Sequence, residues 1–151
     1  MNVTIDVKEA DRLLSTAIKE MPGIVQKAMD RTVANASNKL VDRTQSGEGV
    51  YGQMKPYTAQ YAKYRQRSGR QTRFVDLNFT GRMMGSITPF SSKIFGNRVE
   101  GEIRPARAEE SKKVFYTNIQ RKWWGLNNQE RSVASADFSN HFNRLFRDKV
   151  R

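Results

Sequence analysis

The chain has no cysteine and a single histidine, His141. Disulfides and thiolate metal sites are excluded, and one histidine without a thiolate gives no reason to expect zinc. A serine–histidine–aspartate triad would have to use His141, yet no Gly-x-Ser-x-Gly elbow accompanies it. His141 sits among Phe138, Phe142 and Leu145 and reads as a helix residue. Gly47, Gly49 and Gly52 are not followed by Lys-Ser or Lys-Thr, so the phosphate-binding glycine loop is missing. No stretch approaches the ~20 apolar residues needed to cross a bilayer. The N-terminus lacks the basic segment and apolar run of a signal peptide. A cytoplasmic origin, no membrane, no metal, no cofactor and no catalytic residue are the expectations.

Acids are also scarce. Fifteen Asp and Glu face 27 Lys and Arg in 151 residues, a formal charge of +12. That excess favours an anionic partner, either nucleic acid or an acidic protein surface, without specifying which. Mean hydropathy is −0.75. Hydrophobic residues make up 37%, and 10% are aromatic, enough for one domain over residues 1–151 with a modest core. Much of the apolar surface is then expected to be covered only when copies or partners assemble.

Val3, Ile5 and Val7 alternate with polar residues, the pattern of a short strand. From about Glu9, Ala10, Leu13, Leu14, Ala17, Ile18 and Met21 share a helical face, and Pro22-Gly23 is expected to end it. A second helix carries Val25, Met29, Val33, Ala36 and Leu40 to about Arg43 or Thr44. Glycine-rich Ser46–Pro56 reads as a loop. Tyr57, Tyr61 and Tyr64 recur at helical spacing, and Thr80 is placed to cap a short helix with Met83, Met84 and Ile87. Gly96-Asn97 suits a hairpin between strands bearing Phe90 and Ile94 on one side and Val99, Gly101 and Ile103 on the other. A helix from about Ala108 to Lys122 carries Val114, Phe115 and Ile119. Asn127 and Glu130 mark the start of a last helix with Val133, Phe138, Phe142, Leu145 and Phe146. The fold class is therefore α+β, with N-terminal helices, a central small antiparallel hairpin or sheet, and C-terminal helices.

Three constellations bear on function. Asp76, Glu100 and Glu102 faintly match the carboxylates that hold Mg²⁺ in some nucleases, although strand alternation alone accounts for Glu100 and Glu102. Lys63, Arg65, Arg67, Arg70 and Arg73 form a basic run, and residues 61–90 hold six basic side chains to one acid. Such a run can neutralise phosphates while nearby tyrosines stack on bases, or it can be the solvated side of a packed helix. Trp123 and Trp124 are adjacent and must point different ways, so one can fill the core while the other meets a groove or a subunit.

The order of motifs adds a resemblance. Pro56-Tyr57, Tyr61, Arg65 and Gly69 precede Asp76-Leu77 and Thr80-Gly81-x-Met83-Met84-x-Ser86-Ile87, and Arg-x-Trp-Trp-Gly-Leu-Asn follows over Arg121 to Asn127. This series resembles a family of tailed-bacteriophage morphogenesis proteins described as tail-completion, minor tail or head–tail joining (neck) proteins. The resemblance implies a non-enzymatic virion component, assembled in the host cytoplasm as a homo-oligomeric ring. Its neighbours would be connector, stopper, terminator or tail proteins, with packaged DNA in the channel. It also implies structural roles for Tyr57, Tyr61, Leu77, Thr80, Gly81, Met84, Ser86, Ile87, Gly125 and Leu126. Lys63, Arg65, Arg67, Arg70, Arg73, Trp123 and Trp124 would then face protein or DNA.

Overall fold

Apolar and small side chains at three- to five-residue steps (Ile24, Ala28, Val33, Ala36 and Leu40) give one long helix its buried stripe. The structure is a computed structural model that describes residues 7–150. Of the strand expected over Val3–Val7, Val3 and Ile5 lie outside the described residues, and Val7 opens the helix α1 (Val7–Gln45). At 39 residues α1 is about 58 Å long. Pro22 lies inside it, so the two expected N-terminal helices are one. Pro22 and Gly23 are exposed, on a side where water can take the carbonyl bond that proline leaves open.

Ser46–Pro56 is less irregular than expected. Two-residue strands β1 (Glu48–Gly49) and β2 (Gly52–Gln53) pair there as a small antiparallel hairpin. Helix α2 (Ala59–Arg67) follows, its Thr58 side chain accepting the Tyr61 N–H as an N-cap. Thr80 does not cap a helix through Ile87. Its Oγ1 accepts from Arg82 N, only a 3₁₀ turn forms over Met84–Ser86, and Ile87 already opens β3 (Ile87–Phe95).

Strand β3 pairs with β4 (Arg98–Pro105) across the two-residue turn Gly96-Asn97, where Gly96 takes the positive φ of 59° that such turns demand. The register slips between Phe90 and Lys93, setting Ser91 and Ser92 against Gly101. The bulge is tied to α1: Ser92 N and Oγ donate to Asp30 Oδ1 at 2.6 and 2.8 Å, and Gln26 Nε2 donates to the Ser92 carbonyl at 2.8 Å. Opposite it, Gly101 lets α1 approach so closely that an added Cβ would lie 2.0 Å from Val33 Cγ2.

Helix α3 (Ala108–Arg121) ends at Lys122 in the left-handed region, and α4 (Asn128–Val150) begins on a reciprocal cap. Glu130 N donates to Asn127 Oδ1 and Asn127 N to Glu130 Oε2, both at 2.8 Å. Arg43 links α1 to this cap through Glu130 and to the carbonyls of Trp123 and Gly125. Helix α4 runs antiparallel along α1, with Arg43–Glu130 near one end and Glu20–Lys149 near the other. The main core gathers Leu40, Met54, Val75, Met83, Met84, Ile87, Val114 and Trp123. The fold is α+β, with one N-terminal helix, two small antiparallel hairpins and C-terminal helices. No described helix is long and apolar enough to cross a membrane.

Candidate interaction surface

Thr58 starts α2 so that Tyr61, Tyr64 and Arg65 fall on successive turns, with Tyr57 just ahead of the helix. The rings form a ladder: Tyr57–Tyr61 edge-on at 5.1 Å, Tyr61–Tyr64 at 6.1 Å, and Tyr64 stacked on Phe79 at 5.4 Å. Beneath them Arg65 is only 1% exposed. Its Nη2 donates to both Asp76 oxygens at 2.9 and 3.1 Å, its Nε donates to the Gln71 carbonyl, and its guanidinium lies 4.6 Å from the Tyr57 ring centre. Arg65 therefore leaves the exposed basic run and serves as the buried counter-ion of Asp76.

Asp76 accepts three more bonds, from Tyr57 Oη at 3.0 Å, Gln71 Nε2 at 2.7 Å and Asn78 N at 3.0 Å. These bonds hold Leu77 at φ 50°, with its N–H donating to Tyr57 Oη. A non-glycine residue takes that conformation only when its surroundings over-determine it. Burial first, and then the Asp76 carboxylate, push the Tyr57 hydroxyl pKa up to about 12. At Arg43 burial lowers the pKa, opposed by the charges of Glu130 and Glu48.

The remaining residues of the motif pack nearby. Met84 and Ile87 belong to the core, and Tyr57, Leu77, Trp124 and Leu126 pack against it. Ser86 is buried with its hydroxyl on the Met83 carbonyl. Gly81 (φ 80°) and Gly125 (φ 119°) hold left-handed turns that favour glycine. Trp123 is 0% exposed and donates to Thr117 Oγ1, so it is core and not surface. Trp124 is half-buried, edge-on to Trp123 at 5.4 Å.

Lys63, Arg67, Arg70 and Arg73 remain exposed, without a carboxylate within ion-pair distance among the described residues. Helix α3 forms over the expected span, and its apolar side chains divide between core and surface. Val114 is buried, but Phe115, Tyr116 and Ile119 are 63%, 66% and 54% exposed. Between α2, the Leu77–Met83 segment and α3 lies a groove of about 600 Å³. A second cavity of about 790 Å³ opens between α1, the β3–β4 hairpin and α4.

The carboxylates do not converge. Asp76 is bound into the Arg65 cluster, Glu100 pairs with Arg98, and Glu102 pairs with Arg104. Among the described residues no three His, Cys, Asp or Glu side chains are placed to hold a metal ion. His141 is half-buried on α4, its Nε2 3.5 Å from Asn35 Nδ2. The Arg65–Asp76 pairing had one signal in the sequence, since Asp76 is the only acid between residues 61 and 90. No family model, curated protein or solved structure matches the chain.

Proposed function

We propose that this chain is a structural component of a tailed-phage head–tail junction, a neck or tail-completion protein that works as a homo-oligomeric ring between portal and tail proteins. The observation that carries the reading is on α3, where Phe115, Tyr116 and Ile119 stand more than half exposed on a folded chain. Apolar side chains left in a patch are characteristic of surfaces that another protein covers, and closed rings cover such patches without open-ended growth. The motif series supports the same reading by its resemblance, and its residues Tyr57, Leu77, Met84 and Ile87 pack in or against the core to which Val114 of α3 also belongs. Electron microscopy of particles produced with and without the protein tests it. Loss of the protein is expected to leave heads and tails unjoined, and its presence to add ring density at the junction. Joined particles lacking such density would refute the assignment.

Lys63, Arg67, Arg70 and Arg73, exposed and without acidic partners among the described residues, favour a second reading as a stand-alone nucleic-acid-binding protein. It predicts salt-dependent duplex binding by the free chain, lost when Arg67, Arg70 and Arg73 become alanine. No binding at low salt removes it.

A further inference from the structure

The groove between α2 and α3 is walled by the rings of Tyr57, Tyr61, Phe79 and Tyr116, and Lys113 and Arg121 project into it from α3. No carboxylate lines it. Its cations are not equivalent. Arg65, on the floor, is neutralised by Asp76, and Lys113 donates to Glu110 at 2.9 Å. Arg121 has no carboxylate among the described residues. Its Nη1 donates only to the Gln120 side chain, its Nε is buried without a partner, and its guanidinium lies 5.5 Å from the Tyr57 ring centre. An oriented guanidinium with unused donors, set among aromatic rings, matches one carboxylate and an adjoining apolar group.

We infer that this groove binds an extended acidic segment of another protein, in which an Asp or Glu neighbours an aromatic or branched aliphatic residue. The carboxylate pairs with Arg121, and the apolar side chain lies between Tyr61 and Tyr116, which are 38% and 66% exposed. Tyrosine and arginine dominate the residues on which protein interfaces depend. A nucleic-acid strand fits less well, because it needs a track of free cations, and the groove offers one. The exposed run of Lys63, Arg67, Arg70 and Arg73 lies outside the lining. Groove binding does not require ring assembly, so its failure would leave the junction reading standing.

The test uses the full chain, fluorescently labelled, on an array of 12-residue peptides of varied sequence, with a dT20 oligonucleotide as the competing probe. Peptides carrying an acid beside an aromatic or aliphatic residue are expected to be enriched. The best of them should bind Arg121→Glu about tenfold or more weakly, a loss of about 1.4 kcal/mol. Tyr116→Ala should show a comparable loss, Arg121→Lys a smaller one, and Lys27→Glu on α1 none. Thermal melts of each variant confirm that it is folded. An array without acidic enrichment overturns the inference, as does an enriched peptide that binds Arg121→Glu equally well. Oligonucleotide binding that Arg121→Glu abolishes, without peptide enrichment, would make the groove a nucleic-acid site instead.

Discussion

Arg65 and Asp76 concentrate more interactions than any exposed pair on this protein. One guanidinium joins both carboxylate oxygens and the carbonyls of Gln71 and Asn78, under the ring of Tyr57. Lysine keeps the charge but not the planar fork, so Arg65→Lys is expected to cost about 2 kcal/mol. Asp76→Asn leaves a buried guanidinium without its counter-charge and should cost more, about 3–5 kcal/mol. Urea melts that rank the two variants the other way would contradict this account of the cluster. Tyr57 adds a pH signature. Its hydroxyl is held protonated to about 12 in the folded chain, against 10.0 unperturbed. The folded state therefore binds a proton that the unfolded state releases, and the stabilisation is complete below pH 10 and lost as pH rises towards 12. Ultraviolet titration should show one of the five tyrosines ionising late, and Tyr57→Phe should remove that late step. Arg65 also shows what sequence alone conceals: beside Lys63 and Arg67 it reads as one more surface cation, and only the return of the chain at Asp76 buries it.

Helices, hairpin and cap were legible because each rests on local chemistry: three- and four-residue apolar spacing, the Gly96-Asn97 turn, and the Asn127–Glu130 exchange. What local chemistry does not fix went otherwise. Pro22 signals a helix end, yet packing of α1 against α4 and the β3–β4 hairpin carries the helix through it. Two glycines separate local from tertiary demands. Gly23 is an exposed helix residue with no heavy atom within 4 Å of an added Cβ. Gly23→Ala should therefore stabilise by about 0.8–1 kcal/mol through helix propensity. A Cβ added at Gly101 would lie 2.0 Å from Val33 Cγ2, and Val33 is a buried and β-branched neighbour with little room to yield. Gly101→Ala is expected to cost about 1–3 kcal/mol by overpacking. Thermal melts of both variants, and of the pair Val33→Ala with Gly101→Ala, check this. The pair should recover part of the loss, because a contact rather than propensity is at fault.

At the scale of the whole molecule, a charge of +12 opposes self-association while the exposed rings on α3 favour it. The balance should follow salt. Between ~0.01 M and ~1 M the screening length falls from about 30 Å to about 3 Å, which removes repulsion between copies and leaves apolar contact intact. Self-association of the purified chain is therefore expected to rise with salt, opposite to binding driven by phosphate neutralisation, which weakens as salt rises. Phe115→Ser with Ile119→Ser separates surface from core, because both side chains are more than half exposed. The double variant should melt within about 0.5 kcal/mol of the parent and lose its salt-induced association in sedimentation velocity. Association that persists would locate the contact elsewhere, with the cavity between α1, the hairpin and α4 as the next surface to substitute. A large drop in stability would instead mean that α3 is finished by its own fold, removing the argument that this helix waits for a neighbour.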